Sequence, residues 1–258
     1  MTISKKIIPI CAFNDNYIWL FFDETSRDAW VVDPGDATPV RAALQQHQLR
    51  LAGIFITHHH YDHSGGVQDL LTEWPSIPVY GSYKSPLDFI NHPVKEGDEI
   101  VCVNMRLRAI EIPGHTLDHT AYFGHDILFS GDTLFSVGCG KVFEGTSQQM
   151  VQSLHKLLQL PDSTQVFCGH EYTLKNLYFA QLVEPHHAEI ANKIQAIKAI
   201  RSQGLPTLPS LLQEEKRINP FLRCDQTAII QAAEDYAGKH LYSPVEVFAT
   251  LREWKNNM

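Results

Sequence analysis

The chain has 258 residues, of which 44% are apolar and 19% charged, with 15 Gly and 14 Pro. That is enough apolar material for one large domain or a main domain with an appendage, and it excludes disorder, collagen-like repetition and coiled coil. A formal net charge of -8 argues against nucleic acid as a partner, and no apolar run is long enough to span a membrane. The five Cys form no CxxC pair, which points to a disulfide-free cytoplasmic protein, and the first ten residues read without a secretory leader.

In chain order, Lys6–Phe13, Tyr17–Phe22 and Ala29–Val32 read as opening strands, the third stopped by Asp33-Pro34-Gly35. Thr38-Pro39 offers an N-cap and a first-turn proline for a helix to about Gln46. A strand at Leu51–Ile56 then runs straight into Thr57-His58-His59-His60-Tyr61-Asp62-His63. Further strands are expected at Val79–Tyr80, Glu99–Val103, Leu107–Ile112, His119–Phe123, Asp126–Phe129 and Thr164–Phe167. Thr146 and Gln149 make a capping box for a helix with Val151, Leu154 and Leu158 on one stripe. Beyond Tyr172 the pattern turns helical. Ile190, Ile194, Ile197 and Ile200 form an amphipathic stripe ended by Gly204, Asp225 offers a cap for a helix closing near Gly238, and Ser243-Pro244-Val245-Glu246 opens a final helix. A catalytic domain at 1–172 and a helical domain at 173–258 are expected.

Six of the 14 His fall in two groups, His58, His59, His60 and His63, then His115 and His119. Nitrogen and carboxylate donors at this density suit zinc, and also iron or manganese. In an extended backbone His58, His60 and Asp62 share one side, and a turn after Asp62 brings His63 back, while His59 and Tyr61 point elsewhere. Three later donors each follow a glycine: His115, Asp132 and His170. Seven side chains exceed one tetrahedral site and fit two ions with a bridging carboxylate. The assignment is His58, His60 and His115 on one ion, Asp62, His63 and His170 on the other, and Asp132 between them.

These motifs resemble the signature of the metallo-β-lactamase superfamily. The chain is similar, more narrowly, to the glyoxalase II (hydroxyacylglutathione hydrolase) family, through Asn14-Asp15-Asn16-Tyr17, Val32-Asp33-Pro34-Gly35, Gly131-Asp132-Thr133-Leu134-Phe135, Gly138-Cys139-Gly140-Lys141, His170-Glu171-Tyr172-Thr173 and Asn219-Pro220-Phe221-Leu222-Arg223. The resemblance implies an α/β fold, a four-layer αββα sandwich with a C-terminal helical domain. It also implies hydrolysis of S-D-lactoylglutathione to glutathione and D-lactate by a hydroxide bridging two divalent ions, most often zinc, as the second step of methylglyoxal detoxification by a monomer. Asp62 and Asp132 would be the catalytic carboxylates, with Asp33 and His119 supporting the ligands.

Glutathione is anionic, so an acidic protein needs local cations to hold it. The resemblance implies Lys141, Phe143, Tyr172, Arg252 and Lys255 as the substrate pocket, the last two presented on the surface of the final helix. Asp118 stands where relatives carry Gly, and Phe143 where some carry Tyr. A β-lactamase is disfavoured because Asp132 replaces a cysteine ligand. A persulfide dioxygenase, expected to use one iron, and a metal-stabilised binding module are the remaining alternatives.

Overall fold

The computed structural model describes residues 5–258, so the leader-free reading of the first four residues lies outside it. By contacts the chain forms two units, one running to Glu111 and resuming at Thr116–Gly131, the other comprising Ile112–His115 and Asp132–Met258.

The first unit opens with strands β1 (Lys5–Ala12), β2 (Asn16–Asp23) and β3 (Asp28–Val32), then helix α1 (Ala37–His47), β4 (Arg50–Phe55), the short helices α2 (Tyr61–Ser64) and α3 (Val67–Glu73), β5 (Val79–Ser82) and β6 (His92–Val94). Its first sheet has the order β1-β2-β3-β4-β5-β6, antiparallel as far as β3 and parallel beyond it. Strands β7 (Glu99–Cys102), β8 (Met105–Glu111), β9 (Thr120–Gly124) and β10 (Ile127–Gly131) form an antiparallel meander.

Both faces of β2 are buried, which is why Tyr17–Phe22 reads as an unbroken apolar run instead of an alternation. Ile18, Leu20 and Phe22 join Val40, Leu44, Val67 and Leu70 of α1 and α3 in one cluster. Phe21 turns the other way, 5.4 Å by ring centroids from Phe129 of the meander, and Phe55 lies 4.5 Å from Tyr122. The buried Tyr122 hydroxyl donates to the Ile56 carbonyl at 2.9 Å and so ties the two layers beside the strand end that leads to His58.

The second unit contains the hairpin β11 (Leu134–Phe135) and β12 (Gly138–Cys139), α4 (Ser147–Leu158), β13 (Gln165–Cys168), α5 (Thr173–Val183), α6 (Ala188–Arg201), β14 (Ser210–Leu211), α7 (Leu212–Ile218), a 3-10 turn at Pro220–Leu222, α8 (Thr227–Ala237) and α9 (Pro244–Asn256). The expected stripe of α6 is present: Ile190, Ile194 and Ile197 pack with Leu177, Ala180 and Ile218, and Ile200 lies half-buried beside them. The capping box at Thr146 and the Ser243 cap form as expected.

Several boundaries differ from expectation for local reasons. Asp36, not Thr38, caps α1, because its carboxylate accepts the Thr38 N–H at 2.8 Å and pulls Thr38 inside the first turn. Gln226, not Asp225, stands at the start of α8, with no side-chain cap. His119 stays outside β9, which starts at Thr120. Asp126 stays outside β10, since His125 and Asp126 make a two-residue turn with both φ values positive, at 54° and 60°. All five cysteines are free thiols. Among the described residues no helix is long and apolar enough to cross a membrane.

Tyr122→Phe removes the donor to Ile56 in a buried setting. Urea unfolding of this variant is expected to show a loss of about 1 to 2 kcal/mol; an unchanged midpoint would mean that the carbonyl finds another donor.

Candidate metal centre

Within the first unit, β4 delivers Thr57 and His58 to a buried loop. The chain turns helical at Tyr61, two residues before the extended reading has it turn, so Asp62 and His63 sit on the first turn of α2 and Asp62 does not continue the alternation of His58 and His60. Asp33 anchors this loop. Its Oδ1 accepts the Thr57 N–H at 2.7 Å, and its Oδ2 accepts the Thr57 hydroxyl at 2.7 Å and contacts His63 Nδ1 at 3.0 Å.

These bonds set the imidazole tautomers. The Thr57 hydroxyl spends its only proton on Asp33, so at 3.0 Å from His58 Nδ1 it must accept, which places a proton on that Nδ1 and leaves Nε2 with a lone pair. His63 likewise donates from Nδ1 to a carboxylate and keeps Nε2 for a ligand. The His58 Nε2 lone pair lies within hydrogen-bond distance of His60 Nδ1, at 3.0 Å. Asp62 is oriented by the buried Asn16, whose amide donates to Asp62 Oδ2 at 3.0 Å, and Asp62 Oδ2 lies 3.6 Å from His63 Nε2.

His119 is buried and stacks on His58 with ring centroids 4.7 Å apart. A Cβ on Gly131, at φ 48°, would come within 2.7 Å of the His119 ring and 2.4 Å of the Thr57 hydroxyl, so this position requires glycine. His59, expected to point away from the other donors, has a definite partner: its Nδ1 lies 2.9 Å from the buried Asp118 Oδ1. The departure at Asp118 is therefore accommodated by a polar pair.

The second unit assembles the remaining donors. His115 donates from Nδ1 to the Lys141 carbonyl at 2.7 Å, leaving Nε2 facing Asp132 Oδ2 at 3.6 Å, and His170 Nε2 lies 3.3 Å from the same oxygen. All three are buried. The Tyr172 ring stacks flat on His170, with centroids 4.7 Å apart and planes 3° apart, and Phe135 meets both edge-on. Burial pushes the thiols of Cys139 and Cys168 up, so neither is a ready thiolate nucleophile at neutral pH.

Lys141 and Phe143 are exposed, and Phe143 meets His115 edge-on. The expected surface display of Arg252 and Lys255 does not occur. Arg252 is buried, donates from Nη1 to the Cys139 carbonyl at 2.9 Å and lies over the Phe221 ring. Lys255 is half-buried with its ammonium group turned inward, donating to Asn176 Oδ1 and lying over Phe179 and Phe221. Desolvation, then the nearby Arg252 charge, lowers its pKa to about 7. Sequence reasoning missed the roles of Thr57, Asn176 and Glu215; Asn16 stood inside a quoted motif, but nothing in the sequence links it to Asp62 across 46 positions.

The donor chemistry fits divalent metal: nitrogen lone pairs preset on His58, His63 and His115, with carboxylates beside them. Comparison with known proteins agrees. A model of the metallo-beta-lactamase superfamily matches residues 15–170, and one described as the hydroxyacylglutathione hydrolase C-terminus matches residues 171–258. The hydroxyacylglutathione hydrolase of Nitrosomonas europaea is 49% identical over 254 residues, 98% of this chain and 96% of its own. Among solved structures, ETHE1 from Myxococcus xanthus is 25% identical with a TM-score of 0.66, covering 97% of this chain and 98% of its own. TTHA1623, solved in a di-iron-bound form, is 27% identical with a TM-score of 0.53, covering 63% of this chain and 91% of its own. The fold is the metallo-β-lactamase αββα class, followed by a helical C-terminal region.

His59→Ala leaves Asp118 buried without its imidazole partner. The expected cost is about 1 to 3 kcal/mol, measured as a lower unfolding midpoint, and Asp118→Gly in the same background should recover most of it. A single variant as stable as the parent would show that the pair contributes nothing.

Proposed function

The chain belongs to the hydroxyacylglutathione hydrolase family of the metallo-β-lactamase superfamily, and on that basis we propose that it hydrolyses S-D-lactoylglutathione and similar 2-hydroxyacylglutathiones to glutathione and the free 2-hydroxy acid. The observation that carries this reading is the preset donor set, His58, His60, Asp62 and His63 in one unit and His115, Asp132 and His170 in the other, in a chain about half identical to named hydrolases along nearly its whole length. Residues 1–172 would carry the catalytic metal ligands and residues 173–258 the helical glutathione-binding part, in a monomeric cytoplasmic enzyme.

The donors would hold two divalent ions, zinc first and iron or manganese also suited to nitrogen and oxygen ligands: His58, His60 and His115 on one, Asp62, His63 and His170 on the other, and Asp132 shared. When bound, such ions lower the pKa of coordinated water from 15.7 toward about 7 and polarise a carbonyl. The protein's own groups do the rest. Asp33 and the Lys141 carbonyl hold the Nδ1 protons of His63 and His115, and Thr57 that of His58, so each ring offers its Nε2 without rearrangement. Asn16 occupies Asp62 Oδ2 and fixes that carboxylate for orienting the attacking water. With Cys139 and Cys168 held as buried thiols, water is the nucleophile and no acyl-enzyme is needed.

The thioester's peptide part would meet Lys141, Phe143 and Tyr172, with Arg252 and Lys255 behind them supplying positive charge. Phe143 offers a ring face and no hydroxyl. Asp33 and His119 support the ligand imidazoles. A persulfide dioxygenase and a non-catalytic metal-stabilised module are less favoured, since curated relatives at 47 to 49% identity are named hydroxyacylglutathione hydrolases.

Three outcomes test this reading. Protein reconstituted with zinc should hydrolyse S-D-lactoylglutathione far faster than a simple thioester or a β-lactam and lose the activity on chelation; preference for the β-lactam would contradict it. Elemental analysis should find two ions per chain, and Asp132→Asn should lower both that count and turnover severely, by about a hundredfold or more; full activity with one ion would rule out the pair. Finally, Lys255 is charged below about pH 7 and neutral above it. Arg252 and Cys139 are the charged and titratable groups that bear on it. KM for the glutathione thioester should therefore rise as pH passes through this range in the parent and stay flat in Lys255→Ala. Superimposable profiles would remove Lys255 from the pocket.

A further inference from the structure

The hairpin that follows Asp132 is built on a backbone conformation that its own sequence resists. Leu134 pairs with Cys139 and Phe135 with Gly138, so Ser136 and Val137 make the turn, and Val137 sits at φ 55°. A β-branched side chain in the left-handed region is a steric outlier, at a position where tight hairpins ordinarily take Gly, Asn or Asp. Such a conformation persists only when its surroundings over-determine it.

Here they do, and entirely with buried side chains of the same unit. Glu215 of α7 is wholly buried, and its Oε2 accepts the Val137 N–H at 2.7 Å and the Asn219 amide at 3.1 Å. Asn219 passes the contact on, donating to the Gly138 carbonyl at 3.0 Å. Asn176 of α5 donates to the Ser136 carbonyl at 2.8 Å, and Arg252 of α9 donates to the Cys139 carbonyl at 2.9 Å. Three of these side chains take hold of carbonyl oxygens. Glu215 alone among them takes hold of the strained residue's own N–H. Burial pushes its carboxyl up, yet two donors converge on one of its oxygens, so the group is enclosed for the sake of these bonds.

The base of the same hairpin is the metal-ligand loop. Gly140 donates to the Thr133 carbonyl at 3.2 Å, closing the arms. A Cβ on Gly140 would lie 1.9 Å from the Asp132 carbonyl oxygen and 3.1 Å from His115 Nδ1, so its backbone is pressed against both. The next residue, Lys141, supplies the carbonyl that takes the His115 Nδ1 proton. A shift of the hairpin therefore displaces Asp132, turns the His115 ring and moves Lys141 together.

We propose that Glu215 is a positioning residue: by holding the Val137 peptide in its left-handed conformation it fixes the hairpin, and through the hairpin it sets Asp132 and His115. This rests on the reading of those two as metal ligands. The test compares Glu215→Ala, Glu215→Gln, Val137→Gly and the double variant Glu215→Ala/Val137→Gly, by zinc competition against a chromophoric chelator and by the amide NMR shifts of Asp132 and Gly140 in metal-free protein. Glu215→Ala should weaken zinc by about tenfold or more and move both amides. Glu215→Gln, which keeps the oxygen acceptor, should stay within about twofold of the parent, as should Val137→Gly, whose glycine adopts a left-handed φ at no steric cost. For the same reason the double variant should recover zinc affinity and the parent amide shifts, and should fold even where Glu215→Ala alone does not. Parent-like zinc affinity and amide shifts in Glu215→Ala would overturn the proposal. So would a Glu215→Gln variant as impaired as Glu215→Ala, or a double variant with no recovery, since those describe a core acid that matters only for stability. A parent that binds zinc tightly but leaves the thioester intact would instead contradict the proposed activity and leave this comparison standing.

Discussion

The carboxylate of Asp33 is the interaction on which the first set of metal donors depends. It sits at the end of β3 with φ 55°, buried, and takes the Thr57 N–H, the Thr57 hydroxyl and the His63 Nδ1 proton. One anion thereby pins the end of β4, the entrance of α2 and, by way of the Thr57 hydroxyl, the tautomer of His58. An enclosed carboxylate without donors would be costly. With three of them it becomes a template, because each bond fixes the direction of a group that a metal would use. The second unit solves the same problem with a backbone carbonyl, that of Lys141, which takes the His115 proton. Both arrangements leave Nε2 as the candidate ligand atom, the usual outcome when the other ring nitrogen is given a permanent acceptor.

Positive charge in this acidic chain is handled by enclosure as much as by display. Lys141 is exposed, whereas Arg252 is packed on Phe221 with its guanidinium on the Cys139 carbonyl, and Lys255 is drawn between Phe179 and Phe221. Aromatic faces offset part of the cost of desolvating a cation, but for Lys255 the offset is incomplete, which is why its pKa falls to about 7. The final helix thus serves the hairpin after Asp132 first. Whatever it contributes to an anionic ligand comes through a cation already committed to the protein.

Much of the donor set was legible in the sequence because it is local. A dense His/Asp run at a strand end, and three later donors each behind a glycine, announce themselves by residue type and spacing. The alternation of His58 and His60 was legible too, but the onset of helix at Tyr61 was not, since four residues of helix leave no periodicity to read. What the sequence concealed is long-range. Asn16 meets Asp62, and Glu215 meets Val137, across separations of 46 and 78 residues. A lone Asn or Glu in a chain carries no mark that it will be buried against a particular peptide. Arg252 and Lys255 were legible as neighbours on one helix face, yet which side that face turns to was decided by Phe221, Phe179 and the Cys139 carbonyl, which spacing cannot reveal. Asp36 won the cap of α1 from Thr38 simply because its carboxylate reaches the N–H two residues on, a contest between adjacent candidates that sequence rules leave open.

These imidazoles are set by the protein before any metal arrives. Long-range ¹⁵N–¹H correlation of the histidine rings in metal-free protein at mildly alkaline pH tests it most directly. His58, His63 and His115 should each show a protonated Nδ1 and an unprotonated Nε2. Rings that instead carry the proton on Nε2, or that average between the two tautomers, would show that the metal imposes the order and that Asp33, Thr57 and the Lys141 carbonyl do not.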